Sequence, residues 1–355
     1  MSQKSTTTLS DIESALNKYR KGMEIILEGA RAETGQTPKE VIWTKNKAKL
    51  YHYEPMVEKR YPVPILLVYA LINRPYVLDL MPGNSLVEYL VGHGFDVYML
   101  DWGTPGDEDQ NLSFEHYVLD YIPRAVKKVL RTAHAEEFSL LGYCMGGTMT
   151  AMYAALFPKP LRNLILLTAP IDFTPDEMGL FGVWTSEKYF NPDRVVEAFG
   201  NVPGEFIDTG NRMVKPVTNY VGSYVTMWDR IMQDKSMDTW LAMNKWVNDG
   251  VPFAGEAFRQ WIREFYQQNK LVKGEIKLRG RRVDLSNITC PVLNIAGKKD
   301  HICSLPQAEA TMKYISSPDK EFFVLDAGHV GLLTGSDAKK TLWPKLLSWL
   351  ELRSK

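Results

Sequence analysis

The stretch Phe138-Ser139-Leu140-Leu141-Gly142-Tyr143-Cys144-Met145-Gly146-Gly147 constrains this chain more than any other. An apolar strand-like run ends at Leu141, a short turn follows, and Thr148 to Leu156, with Ala151, Ala154 and Ala155, has the composition of a helix. A strand–turn–helix this tight forces its central residue into a strained backbone conformation. Glycines two before and two after the centre let strand and helix approach closely. The central side chain is then held above the sheet, at the start of a helix. Such an elbow mounts a nucleophile, and here the nucleophile is Cys144 in place of the usual serine. A helix N-terminus and a nearby imidazolium both favour the thiolate, which is the reactive form.

The flanking sequence predicts the sheet that the elbow needs. Pro64 to Tyr69, Phe95 to Leu100, Phe138 to Leu141, Asn163 to Leu167, Val292 to Ala296 and Phe322 to Leu325 are short apolar runs. Continuous apolar strands belong in parallel sheets covered on both faces. Ser85 to Val91 suits a crossover helix, and Ala338 to Leu352 a terminal helix with Leu346, Leu347 and Leu350 on one face. The alternation predicts a mostly parallel, doubly wound sheet, and with the elbow an α/β-hydrolase fold.

The region from Ile171 to Lys273 differs, being rich in Trp, Phe and Met and poor in strand-like runs. Its place between two groups of strands predicts an inserted helical cap. The expected division is an N-terminal helical or extended segment at 1–61, sheet domain at 62–170 and 274–355, and cap at 171–273. Within the first segment, Ile12, Leu16, Tyr19, Met23, Ile26 and Leu27 recur at helical spacing from Leu9 to Glu33, with Ser10 or Asp11 as a cap. That helix either packs on the body or docks a partner.

Lys+Arg and Asp+Glu are both 42, so no basic excess points to nucleic acid, and the zero net charge favours association. Three cysteines, Cys144, Cys290 and Cys303, form neither a disulfide framework nor a metal-ligand spacing. The start of the chain is polar, without a signal-peptide core, and the run from Ile65 to Ile72 is too short to span a bilayer. A reducing, cytoplasmic setting is the expectation, in which Cys144 stays a free thiol.

In this fold the acid and the histidine follow the nucleophile along the chain. Asp300 ends the turn after the strand Val292 to Ala296, and His329 lies in Ala327-Gly328-His329 after the strand Phe322 to Leu325. Both lie at carboxyl ends of strands, where such sheets bind ligands. His329 is expected as general base and Asp300 as its partner. His301 and Asp326 are the rivals. His52, His93, His116 and His134 lack such a context and read as surface or packing residues. Cys290 reads as a small buried residue, and Cys303 is placed near the mouth of the site without chemistry. Backbone N–H groups of Met145 and, within Ala70 to Asn73, Ile72 are the expected oxyanion donors.

The thiol bears on the reaction. A cysteine attacking a thioester forms another thioester at nearly equal free energy, which an alcohol can accept downhill if water is excluded. Transfer and hydrolysis both remain open on this chemistry.

The sequence resembles polyhydroxyalkanoate synthases over nearly the whole chain after about residue 35. The resemblance rests on Tyr69 to Leu80, Gly94 to Gly103, the Cys144 elbow, Ala254 to Trp261, Asp300-His301-Ile302 and Gly328-His329-Val330-Gly331. It is nearest to the short two-component enzymes, class IV first and class III next. It implies polymerisation of (R)-3-hydroxyacyl-CoA, with 3-hydroxybutyryl-CoA as the expected substrate, through acyl groups on Cys144, and with His329 or Asp300 activating the attacking hydroxyl. Coenzyme A enters as part of the substrate, so no tightly bound cofactor is implied. A small accessory subunit, a homodimer or hetero-oligomer, and a place at the surface of cytoplasmic polyester granules are further implications. A cysteine hydrolase of the dienelactone-hydrolase or thioesterase kind and a non-catalytic granule-coating protein are the alternatives.

Overall fold

The computed structural model describes residues 9–28 and 32–355. Residues 1–8, and the side chains of Ile12, Ile26 and Leu27 in the predicted helix, lie outside that description. Helix α1 is Leu9–Glu28, so Ser10 and Asp11 stand inside it and not before it.

The body is an eight-stranded sheet: β1 (Lys39–Lys45), β2 (Ala48–Tyr53), β3 (Ile65–Val68), β4 (Val97–Asp101), β5 (Phe138–Tyr143), β6 (Leu161–Leu167), β7 (Val292–Gly297) and β8 (Lys320–Leu325). The spatial order is β1-β2-β4-β3-β5-β6-β7-β8. From β4 to β8 every neighbouring pair is parallel, whereas β1–β2 and β2–β4 are antiparallel. The central strands are apolar because both faces are covered. Ile65, Leu66, Leu67 and Val68 are all 0% exposed, each burial stabilising by about 1.5–3 kcal/mol relative to exposure.

Helix α2 (Leu86–Gly92) crosses from β3 to β4, and its cap Ser85 accepts a hydrogen bond from the Glu88 N–H at 2.9 Å. Helix α3 (Ile122–Ala133) buries Ile122, Ala125, Val126 and Val129, one face at helical spacing. Helix α4 (Met145–Leu156) follows β5 directly and is buried along most of its length.

Residues 39–53 depart from the sequence reading, which assigns them no strand. They form an edge hairpin that extends the main sheet, with His52 Nε2 2.8 Å from Asp96 Oδ1 and Lys59 Nζ 3.0 Å from Asp96 Oδ2. Between β6 and β7 lie α5 (Pro192–Phe199), α6 (Gly204–Met213), α7 (Ser223–Met232) and α8 (Asp238–Val247), with shorter helical turns. Helix α1 packs on this block. Tyr19 stacks on Trp228 at 5.7 Å between ring centroids, Lys18 Nζ reaches Asp234 at 2.8 Å, and Gly22 leaves the room that the Trp228 ring occupies. A π-helical turn over Ala338–Leu342 leads into α9 (Trp343–Glu351), which buries Leu346 and Leu350.

Candidate active site

The turn between β5 and α4 has the strain expected of an elbow. Cys144 has φ 55° and ψ −130°, a region that non-glycine residues rarely enter. Its N–H is tied to the Leu167 carbonyl of β6 at 2.9 Å, and its carbonyl accepts from Gly147 N–H at 2.8 Å. A Cβ on Gly142 would lie 2.5 Å from the Gly147 Cα, and one on Gly146 would lie 2.7 Å from the Tyr69 carbonyl carbon. No side chain fits at either glycine, so helix and sheet touch through backbone there.

Asp300 and His329 converge on Cys144 from the ends of β7 and β8. His329 Nδ1 lies 2.7 Å from Asp300 Oδ2, and His329 and Cys144 line the same chamber, near enough for the Cys144 charge to act on the imidazole. The Asp300 side chain is 0% exposed, yet all its acceptor positions are served. Oδ1 accepts the N–H groups of Ile302 at 2.8 Å and Cys303 at 2.9 Å, and Oδ2 accepts His329 and the Thr168 hydroxyl. Burial opposes the charge on Asp300, but the His329 charge and these donors hold its carboxyl below the usual range. Burial likewise opposes a charge on His329, but the Asp300 and Cys144 charges and the Asp300 hydrogen bond outweigh it and push the imidazole up to about 10.

The rivals lie elsewhere. His301 is exposed, and burial with the Lys215 charge lowers its pKa. Asp326 is paired with Lys299 at 2.8 Å on the surface. His52 serves the edge hairpin, His93 Nδ1 contacts the Tyr89 carbonyl at 2.6 Å, His116 Nδ1 lies 3.1 Å from the Ser113 nitrogen in a helix-start turn, and His134 closes α3 in a left-handed conformation. Burial pushes the Cys290 thiol up to about 12. Cys303 is fully buried behind Asp300 and lines the same space as Cys144, deeper than a position at the mouth.

Two residues escaped the sequence reading. Thr168, just past β6 with φ 45°, gives its hydroxyl to Asp300. Tyr143, a spacer in the motif, stacks on Tyr69 at 5.3 Å and donates its hydroxyl to the His329 carbonyl at 3.0 Å. Motif spacing carries no signal for either.

Two chambers meet at Cys144. The first, about 710 Å³, is walled by apolar and aromatic side chains, among them Phe181, Trp184, Phe253, Phe258 and Trp261. The second, about 600 Å³, carries polar side chains including Asn73, Asp208, Arg212, Asn244 and Asn248, and reaches His329. Ile72 lines both, and its carbonyl accepts from Val251 N–H at 3.4 Å. Met145 opens α4, so its N–H belongs to the first turn, where donors have no intrahelical partner. Among the described residues no cluster of three or more His, Cys, Asp or Glu could hold a metal ion, and no helix is long and apolar enough to cross a membrane.

Comparison with known proteins places this geometry. Residues 63–336 match the alpha/beta hydrolase fold family, and residues 16–90 match the poly-beta-hydroxybutyrate polymerase (PhaC) N-terminus family. The chain is 42% identical over 330 residues to the poly(3-hydroxyalkanoate) polymerase subunit PhaC of Haloferax mediterranei, covering 91% of this chain and 67% of that one. It is 38% identical to the subunit of the same name from Allochromatium vinosum, covering 95% and 94%. Among solved structures, a putative lipase from Sulfolobus solfataricus is similar at TM-score 0.59 and 16% identity, covering 88% of this chain and 93% of that one, which shows the fold alone. With its α/β-hydrolase fold and kinship over nearly its full length, the chain belongs to the poly(3-hydroxyalkanoate) polymerase PhaC family and is an acyltransferase that polymerises hydroxyalkanoates.

Proposed function

We propose that Cys144 carries the growing chain as a thioester, that His329 moves the protons, and that Asp300 fixes His329. The substrate is an (R)-3-hydroxyacyl-CoA, with 3-hydroxybutyryl-CoA as the expected case. The observation that carries this reading is the hydrogen-bonded His329–Asp300 pair beside the strained Cys144, where an apolar chamber meets a second chamber with more polar side chains.

The cycle runs in two halves. The Cys144 thiolate attacks the thioester carbonyl of the substrate, and the oxyanion is met by the N–H groups of Met145 and Ile72. The C–S bond to coenzyme A breaks, and protonated His329 supplies the proton to the departing thiolate. In the second half the 3-hydroxyl of another acyl-CoA attacks the Cys144 thioester, and His329, now neutral, takes its proton. The C–S bond to Cys144 breaks to regenerate the thiolate, and the lengthened chain returns to Cys144 by the first half. The charge on Cys144 is one cause of the raised pKa of His329. Acylation removes that charge, so the His329 imidazolium becomes a stronger acid and gives up its proton just when a neutral base is needed. The second chamber, with its asparagines, suits the amide groups of the carrier. The apolar chamber suits the polyester and excludes water, which favours transfer over hydrolysis.

On this reading residues 171–273 act as a cap over the cleft, with the sheet domain at 62–170 and 274–355. The reading includes no tightly bound cofactor. The relatives are named as subunits, which supports a partner subunit here; the reading makes that partner a small accessory subunit and sets the complex at the surface of polyester granules. The test is CoA release and product mass from 3-hydroxybutyryl-CoA, for the chain alone and with candidate accessory subunits. Polymer from native protein and no CoA release from Cys144→Ala are expected. Free 3-hydroxy acid without polymer would show a thioesterase instead.

A further inference from the structure

Helix α6 stands between the two chambers. Phe206, Thr209, Gly210 and Met213 face the apolar chamber, whereas Asp208 and Arg212 face the polar one, and Ile207 and Asn211 border both. These sets fall on different sides of a helix with 3.6 residues per turn, with Glu205 also at the apolar chamber. The polar face is fixed by Arg212, whose Nε lies 2.6 Å from Asp208 Oδ2 and whose Nη2 lies 3.0 Å from Asn248 Oδ1.

Gly210 is the anomaly on this wall. It lies inside the helix, where glycine is less favourable than alanine. Its backbone does not need glycine, since it is absent from the positive-φ positions. Packing does not need it either, because a Cβ there would meet nothing within 4 Å. At Gly142 and Gly146, by contrast, backbone atoms fill the place of a Cβ. What glycine leaves at position 210 is open space beside a residue that lines the apolar chamber.

We infer that Gly210 is a specificity-determining residue that keeps the apolar chamber wide enough for acyl units with substituents longer than methyl at C3. The inference rests on the polymerase reading above. A chamber of about 710 Å³ exceeds the need of one short unit. At a packing density of about 0.74, a 3-hydroxybutyrate unit fills roughly 110 Å³. The surplus holds units already joined, and the open space at Gly210 admits longer substituents on them or on the unit at Cys144.

The test compares kcat/KM for CoA release from (R)-3-hydroxyhexanoyl-CoA and (R)-3-hydroxybutyryl-CoA in native protein, Gly210→Ala, Gly210→Leu and Gly210→Phe. Loss of room for one methylene changes selectivity by about ten- to two-hundred-fold. The hexanoyl-to-butyryl ratio is therefore expected to fall stepwise with side-chain size, by at least about tenfold in Gly210→Phe. Gly210→Ala is expected to raise the melting temperature by about 2 °C. A ratio within about twofold of native across the series would overturn the inference. So would a native enzyme that rejects the hexanoyl substrate, or equal loss of both activities in folded Gly210→Phe. If that variant does not fold, the Ala and Leu variants carry the comparison. Failure of the polymerase reading is distinguishable, because native protein would then form no polymer from either substrate.

Discussion

Exchanging Asp300 for Asn tests the proton geometry most directly. The carboxylate accepts four donors: the N–H groups of Ile302 and Cys303 on Oδ1, and Thr168 and His329 on Oδ2. An asparagine offers one carbonyl oxygen and one amide NH₂. The two backbone N–H groups cannot accept, so the carbonyl must stay on their side and the NH₂ must face Thr168 and His329. The Thr168 hydroxyl can turn and accept. His329 can accept only by moving its ring proton to Nε2, toward Cys144. That tautomer has no lone pair with which to take a proton from the hydroxyl, and the missing charge no longer raises the His329 pKa. Burial, which opposes the cation, is then offset by the Cys144 charge alone, so His329 titrates below its native value of about 10. In a serine-protease triad the same exchange costs about 10⁴ in kcat. A loss of about 10³ to 10⁴ is expected here, or about 4–5.5 kcal/mol of barrier. The assay is rapid-quench CoA release, which resolves the first acylation from later turnovers, together with ¹⁵N NMR of the His329 tautomer. Both phases should fall together. A native first burst followed by arrested elongation would refute the reasoning, since Asp300 would then be the base for the hydroxyl. So would turnover within about tenfold of native.

Three further outcomes follow from the same structure. Thr168→Val should lower kcat about ten- to a hundredfold, as loss of a hydrogen bond to a charged group allows, with KM unchanged because Thr168 lines neither chamber, and Thr168→Ser should restore it. His329 has its pKa raised from 6.5 to about 10, so its contribution to stability is complete below 6.5 and is lost as pH rises through about 10. Asp300 is lowered from 3.8, so its contribution holds above 3.8 and is lost as pH falls through its folded value. Melting temperatures from pH 5 to 10 should therefore fall on the alkaline side in native protein and less so in His329→Gln. Gly146→Ala should cost about 1–3 kcal/mol, read by urea unfolding, because the added methyl meets the Tyr69 carbonyl carbon at 2.7 Å.

The parallel strands were legible because burial on both faces leaves a continuous apolar run, as in Ile65 to Val68. The elbow was legible because two glycines are required by backbone contact and not by preference. The edge hairpin was not. Strand β1 is half exposed, so its pattern Lys39-Glu40-Val41-Ile42-Trp43-Thr44-Lys45 lacks clean alternation, and its turn uses Asn46 in a left-handed conformation without glycine. Asp300 and His329 could be placed because each ends a strand in a recognisable turn. Thr168 also ends a strand, but its role depends on β7 lying beside β6, which no local pattern encodes. The two faces of α6 were hidden for a similar reason. Its sequence reads as an ordinary amphipathic helix, and only the surrounding helices make both faces walls.

The packing of α1 on α7 has a mechanical consequence. A block inserted between β6 and β7 is joined to the sheet by two chain crossings, and two crossings define a line about which it could swing. Lys18, Tyr19 and Gly22 add a third fastening, on Asp234 and Trp228. Rotation about the line must then carry α1 along or unseat the Trp228 ring. Helix α1 thus acts as a guy-rope on the block above Cys144, held at Trp228 and Asp234.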